Sequence, residues 1–327
     1  MEEPISLGRT GIRISPLGLG TWQWGDRLMW SYGKTHTDAD IHEAFQVSLE
    51  AGINFFDTAE IYGKGRSERL LGKYLHEGCE PPRLSPLVVA TKFMPFPWRL
   101  RKGALRSALE ASLARLGLER VDLYQIHWPF PPIPIETWAG ALADAVEAGL
   151  TRAVGVSNYS PAQMSRAHAA LSRRGVQLAS NQVEYNLLNR RAEHNGLAKL
   201  CQELGVALIA YSPLGRGLLT GKYTVETPPP GLRGRLTSRA RLSAMQPLVR
   251  LMREIGQSHG GKSAAQVALN WVMSKGAVPI PGAKNVRQAR ENAAAMGWRL
   301  TEAEVAALDD ESGKAAAMSA RRAVAVP

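Results

Sequence analysis

The 327-residue chain contains only two cysteines, Cys79 and Cys201. Two cannot build a disulfide framework, and neither stands at a metal-ligand spacing, so no metal is expected and a reducing compartment fits. No apolar stretch is long enough to span a bilayer, which argues against a membrane role. The opening segment MEEPISLGRTG is acidic and lacks both the apolar core of a signal peptide and the Ser/Arg richness of a transit peptide. A cytoplasmic location is expected, although a mature chain in the plastid stroma would look the same. Low-complexity segments and internal domain boundaries are also lacking, so a single domain over 1–327 is expected. Acidic residues are outnumbered, 29 Asp and Glu against 40 Lys and Arg, giving a net charge of +11. The basic residues are scattered, with no aromatic-interleaved stripe and no nucleic-acid motif, so nucleic acid is not the expected partner. The densest cluster, GLRGRLTSRARL from Gly231 to Leu242, follows TPPPG and reads as an exposed loop. The charge reads first as a solvated basic face, and otherwise as attraction for an anionic small molecule such as a phosphorylated cofactor.

What is present is a repeat of short apolar runs and amphipathic helical patterns. The runs are LGLGTW, INFFDTA, LVVATK, VDLYQIHW, AVGVSN, SNQVEY, VALIAYSP and AVPIPG. Between them, stretches such as DADIHEAFQVSLEAG, KGALRSALEASLARLG and PIETWAGALADAVEAG place apolar residues at i, i+3, i+4 and i+7 and end on glycine. Continuous apolar strands are buried on both faces, which indicates a parallel sheet. Eight strand–helix units in one chain read as an α/β fold, a (β/α)₈ TIM barrel. PISLGRTGIRIS reads as a β-hairpin around Arg9, Thr10 and Gly11, outside the repeat. Roughly sixty residues separate ALIAYSP from AVPIPG, enough for the Pro/Arg-rich loop plus a helix, AMQPLVRLMREIGQSHG, inserted before the last strand. The rival α/β arrangement, a doubly wound dinucleotide fold, finds only GLGTWQWG, with Gln23 where a third glycine belongs and no helix directly after it.

In such a barrel the reacting groups stand at the C-terminal ends of strands. Those ends supply Asp57, with Tyr62 five positions on, then Lys92 ending VVATK and His127 ending DLYQIH. Each alone suits a cap or a solvated group; their recurrence in adjacent units points to a site. A phenol has a pKa near 10 and is a poor acid at neutral pH. A buried ammonium beside Tyr62 is expected to lower that pKa, with Asp57 holding Lys92 charged and His127 polarising a substrate oxygen. This chemistry protonates an oxygen on which charge develops, as carbonyl reduction needs, and the hydride must come from a cofactor.

The later strand ends suit that cofactor. Ser157, Asn158 and Gln182 offer hydroxyl and amide groups to a carboxamide, and Tyr211 offers a flat face for a nicotinamide ring. The segment SPLGRGLLTGKY, with Ser212, Pro213, Leu214, Gly215, Gly217 and Lys222, offers backbone N–H groups and a cation to a pyrophosphate. At PGAKNVRQARENAA a phosphate would meet Gly282 and a helix N-terminus, where Lys284 and Arg287 would pair with a 2′-phosphate, favouring NADP(H) over NAD(H). Gln288, Glu291 and Asn292 offer polar edges to adenine. Trp24 and Trp128 are expected as aromatic walls of the substrate pocket, among Trp30, Phe93 and Trp98 that also flank strand ends.

The same segments, in this order from about Leu7 to Leu308, resemble the aldo-keto reductase family: GINFFDTAEIYG, VVATK, DLYQIHW, AVGVSNYS, SNQVEYN, AYSPLGRGLLTGKY and PIPGAKN. The resemblance implies a (β/α)₈ barrel binding NADP(H), with Tyr62 as general acid and Asp57, Lys92 and His127 completing a tetrad. It also implies that Gly20, Thr21 and Trp22 lie near the nicotinamide, joined by Asp57. GTWQWGDRLMWSYG, ATKFMPFPWRL and VPIPGAKNVRQARENAAAMGWRLT are similar to a plant and cyanobacterial branch that includes chloroplast and pyridoxal reductases. The expected activity is NADPH-dependent reduction of small or aromatic aldehydes and ketones, pyridoxal among them. The alternative is an NADP(H)-binding sensor subunit resembling channel β-subunits. Oligomeric state is not legible.

Overall fold

The computed structural model describes residues 3–77, 87–101, 103–235 and 237–324; Cys79 lies outside them. Strands β1 (Ile5–Ser6) and β2 (Arg13–Ile14) form the expected antiparallel hairpin, with Ile5 opposite Ile14. The eight apolar runs become β3 (Leu19–Gly20), β4 (Phe55–Asp57), β5 (Val88–Phe93), β6 (Val121–Ile126), β7 (Thr151–Ser157), β8 (Leu178–Glu184), β9 (Ala207–Tyr211) and β10 (Val278–Pro279). They pair in chain order, every neighbour parallel, in one eight-stranded sheet.

The two edges of that sheet meet. Gly18 N–H donates to Pro279 O and Gly20 N–H to Pro281 O, each at 3.0 Å, and Gly20 bridges to Gly282. Closure removes the exposed edges an open sheet would carry. The glycines of LGLG serve this seam. A Cβ on Gly20 would stand 2.8 Å from Ile280 O, and one on Gly18 2.6 Å from the Phe55 ring. The Gly-x-Gly that superficially suggests a dinucleotide fingerprint is a close approach between first and last barrel strands.

The helices follow from local signals. Thr37, Ser160 and Ser263 each close a capping box with Asp40, Gln163 and Gln266, opening Asp38–Glu50, Pro161–Ser172 and Ala264–Ser274. Gly52, Gly117 and Gly149, all at positive φ, follow the three helices foreseen from their periodicity. The stretch before β10 is more helical than its composition suggests. Gly231–Arg235 and Arg239–Ala244 are short helices where the sequence reads as a loop. Leu242 is fully buried, and this burial offsets the weak helical tendency of the Pro- and Gly-rich approach. Two longer helices follow, Gln246–Ser258 and Ala264–Ser274, rather than one.

Most of the apolar core lies between strands and helices. A second cluster fills the barrel's lower end, where Leu7, Ile12 and Ile14 of the hairpin pack on Phe55, Val88, Leu123 and Ile209. The hairpin is thus a plug on the N-terminal side, opposite the strand ends that carry polar groups. Leu7→Ala should lower unfolding free energy by about 2–5 kcal/mol, the usual cost of such a truncation. Denaturant titration would check this.

Candidate active site

Asp57 is the last residue of β4 and Lys92 lies one residue before the end of β5, so both project from the same rim. Lys92 is wholly buried, and its ammonium donates to Asp57 Oδ1 and, at 2.8 Å, to Thr58 O. The other carboxylate oxygen of Asp57 accepts from Gln182 Nε2 at 2.8 Å and from Gln125 Nε2 at 3.3 Å. Backbone bonds set the frame. Thr21 N–H and Oγ1 both donate to Asp57 O, and His127 N–H donates to Phe93 O, seating the imidazole beside the end of β5. Tyr62 starts the one-turn helix Tyr62–Gly65, in which Gly63 and Lys64 both adopt φ of 55°. A non-glycine residue held there is the kind of backbone strain found at functional sites. The turn brings the Tyr62 ring centroid to 5.2 Å from Lys92 Nζ and 5.8 Å from the His127 ring, edge to face. The structure therefore brings together the four side chains singled out from the strand ends.

Their electrostatics differ in one respect from expectation. Burial, then the Asp57 charge, push the Tyr62 phenol well above its ordinary pKa, whereas a lowered value was expected from the ammonium. The Lys92 ammonium is itself destabilised by burial, a loss that Asp57 partly offsets. The phenol is accordingly a fully protonated donor at neutral pH. Burial and Lys92 hold His127 down to about 3, so it is neutral. His127 Nδ1 is buried without a partner, and donation into the cavity falls to Nε2.

These groups border a cavity of about 500 Å³ running from Tyr62, His127 and Trp128 to the β10 loop and the helix Val286–Ala293. Gly20, Thr21 and Trp22 line it near Asp57; Ser157, Asn158, Gln182 and Tyr211 line it from β7 to β9. Ser157 Oγ donates to Gln182 O at 2.8 Å, Asn158 Nδ2 to His127 O at 3.1 Å, and Tyr211 Oη to Asn158 Oδ1 at 3.0 Å. Asn158 holds a positive φ of 63°. Gln182 therefore spends one N–H on Asp57 while still facing the cavity. Ser212, Pro213, Leu214, Gly217 and Lys222 line the next section. Gly282, Lys284, Arg287, Gln288, Glu291 and Asn292 line the far end.

Several of these side chains also have structural work. Lys284 Nζ donates to Trp30 O at 3.0 Å and lies 5.1 Å above the Trp30 ring. Gln288 Oε1 accepts from Lys284 N–H at 3.0 Å, Glu291 accepts from Ser263, and Asn292 Nδ2 donates to Gly282 O at 3.3 Å.

Three expected residues lie elsewhere. Trp24 is not a pocket wall: it is fully buried between Phe45 and Tyr74, with its indole N–H on Ala283 O at 3.1 Å. An apolar ring just after a strand fits core or cavity equally, and here the Asp38–Glu50 helix claimed it. Lys92 stands behind the cavity surface rather than on it. Gly215 lines a second, smaller cavity with Glu184 and Arg241 on the other side of its own turn. Of the other aromatics considered, Trp30 borders the main cavity, Phe93 packs on Trp138, and Trp98 is largely exposed.

Gln23 and Arg216 also line the main cavity but were not singled out from the sequence. Arg216 could have been found as the cation between two glycines of SPLGRG. Gln23 directly follows Thr21 and Trp22, and its Oε1 is buried without a protein partner, as a ligand-facing acceptor would be. Among the described residues no group of His, Cys, Asp or Glu side chains is placed to hold a metal, and no helix is long and apolar enough to cross a membrane.

The neutral, buried His127 gives a pH test. Its folded pKa is depressed, so it contributes stability above the unfolded value of 6.5, and this is lost as pH falls toward 3. Between pH 7 and pH 5 the wild type should lose about 2 kcal/mol more unfolding free energy than His127→Gln, from the pKa difference. Denaturant unfolding at the two pH values would measure it, and equal losses would contradict the burial argument.

Comparison with known proteins agrees with this architecture. The aldo/keto reductase family profile matches residues 16–312. The chain is 45% identical over 299 residues to the chloroplastic pyridoxal reductase of Arabidopsis thaliana, covering 89% of this chain and 81% of that protein. It is 32% identical to the L-glyceraldehyde 3-phosphate reductase of Escherichia coli strain K12, over 88% of this chain and 86% of that one. Among solved structures, the glycerol dehydrogenase from Gluconobacter oxydans superposes with a TM-score of 0.80 at 31% identity, covering 94% of each chain. A thermostable aldo-keto reductase solved with the inhibitor epalrestat gives 0.76 at 34%, covering 95% of this chain and all of that one. An eight-stranded barrel with its polar strand ends gathered at one mouth, and a match over nearly its whole length, place this oxidoreductase chain in the aldo/keto reductase family.

Proposed function

We propose that the chain, acting as a single barrel domain, is an NADPH-dependent reductase of aldehydes and ketones, with Tyr62 as general acid and Lys92, Asp57 and His127 as its supporting groups. The observation that carries this reading is the convergence of one phenol, one ammonium and one neutral imidazole within about 6 Å, judged from the ring distances. The main cavity fits a dinucleotide. It is long, has cationic side chains at Lys222 and Lys284, and presents the orphaned Gln23 acceptor. Ser157, Asn158 and Gln182 would hold a carboxamide and Tyr211 would face the nicotinamide ring. The loop from Ser212 to Lys222 would take the pyrophosphate, and Lys284 with Arg287 the 2′-phosphate. NADPH, when bound, supplies the hydride.

The remaining chemistry belongs to side chains. The carbonyl oxygen would accept hydrogen bonds from Tyr62 and neutral His127, so that negative charge developing on it meets donors already in place. Tyr62 gives its proton to that oxygen. An alkoxide is a far stronger base than a phenoxide, so a phenol with a raised pKa still transfers. Lys92 stabilises the phenoxide left behind, and Asp57 holds the ammonium in place. Closure of the barrel interior around Lys92 excludes water and strengthens each of these effects.

Trp22, Trp30, Tyr62 and Trp128 give the cavity aromatic walls, which supports small aromatic aldehydes as substrates. Similarity to a pyridoxal reductase makes pyridoxal the first compound to test. Turnover of NADPH with an aldehyde panel, pyridoxal included, tests the proposal. Absence of turnover with every carbonyl would favour an NADP(H)-binding sensor instead. Tyr62→Phe should leave NADPH affinity within about twofold yet lower kcat by orders of magnitude, since only the proton donor is lost. Lys284→Ala should raise the Kd for NADPH by about tenfold or more and that for NADH little, as expected on losing one charge-assisted phosphate contact. Equal losses for both cofactors would remove the 2′-phosphate assignment.

A further inference from the structure

We infer that Glu68, on the first turn of the helix Arg66–Glu77, is a positioning residue that acts through Lys92, supplying a second buried negative charge behind the strand that carries it. The inference rests on the role proposed above for Lys92. Glu68 is fully buried and does not line the main cavity. Its Oε1 accepts from Thr91 Oγ1 at 2.6 Å, and Thr91 immediately precedes Lys92 on β5. Neighbouring residues of a strand point to opposite faces, so Lys92 enters the barrel while Thr91 faces the helix layer. Glu68 thus meets β5 from the rear, at the residue next to the one that carries the ammonium.

Burying a carboxylate is costly, and an apolar side chain would fill the same space more cheaply, so its presence calls for a reason. Charged and titratable groups face Lys92 from both sides of β5. Asp57 from β4, Tyr62 from its turn and His127 from the end of β6 face Lys92 within the barrel. Glu68 faces it from outside, and Arg115 Nε of the helix Gly103–Leu116 donates to Glu68 Oε2 at 2.5 Å. The buried Tyr124 of β6 also feels Glu68 and Arg115, together with Glu60 and Arg99. Burial lowers the proton affinity of Lys92, and Asp57, then Glu68, raise it again. The preceding residue supports the same frame. Ser67 Oγ donates to Thr21 O at 3.0 Å and lies 2.9 Å from Thr58 Oγ1, on the residue whose carbonyl accepts from Lys92.

The test is the pH dependence of kcat for carbonyl reduction by the NADPH-loaded enzyme, from neutral to alkaline pH. Glu68→Gln removes one negative charge and leaves Arg115 uncompensated. Its alkaline limb should move to lower pH by about one unit, a shift typical of a nearby buried charge, with NADPH affinity unchanged. Glu68→Gln combined with Arg115→Gln should bring the limb back toward wild type. Arg115→Gln alone should move it the other way, which keeps the inference testable if Glu68→Gln does not fold. A lower kcat with an unmoved limb, or the same limb in all variants, would overturn it. Lys92→Met separates the two claims. If it retains wild-type turnover, the role of Lys92 itself is wrong; if it is inactive while the limb stays fixed in the Glu68 and Arg115 variants, only Glu68 is misassigned.

Discussion

The contact between Lys92 and Asp57 is the constraint on which the remainder of the site depends. An ammonium with no access to water is unfavourable unless a carboxylate and further acceptors surround it. The barrel meets this by register: β4 and β5 lie side by side, with Asp57 paired to Ala90 and Lys92 to Gln125. Gln125 and Gln182 then satisfy the second oxygen of Asp57, so the pair is hydrogen-bonded on several sides. That requirement explains why amides from β6 and β8 point inward where an ordinary barrel layer would hold aliphatic residues. It also ties the Lys92–Asp57 pair to the main cavity, because Gln182 belongs to both.

Much of this was legible in the sequence because a parallel strand has a simple signature and its C-terminal end here carries a titratable residue closing the apolar run. Asp57, Lys92 and His127 could be found that way, and Tyr62 by its distance from Asp57. The eight runs and the hairpin followed from the same pattern. What was not legible depended on which neighbour claims a side chain. Trp24 and Trp128 look alike as aromatics following a strand, yet Phe45 and Tyr74 bury one while the cavity keeps the other. Gly231 to Leu242 has the composition of a loop, yet Ser238 caps a short helix there and Leu242 anchors it by burial.

Protonation was harder still. Placing an ammonium beside a phenol suggests a lowered phenol pKa, but the depth of burial and the charge of Asp57 reverse the direction. Both quantities exist only in the folded chain. The four strand-end residues named from spacing do meet in the fold, while the sign of their electrostatics required the surrounding walls. The second carboxylate, Glu68, was hidden for the same reason, since nothing in SERLLG marks a buried charge behind a neighbouring strand.

The seam through Gly18, Gly20 and Gly282 has a consequence for synthesis on the ribosome. Asp57, Tyr62, Lys92 and His127 all emerge within the first 127 residues, well before β10 exists. The cavity beside them has Ile280, Pro281, Gly282 and Lys284 on its other bank, so a nascent chain holds these four side chains long before it can enclose the space next to them. The cavity is therefore complete only once β10 has been made and has joined the sheet.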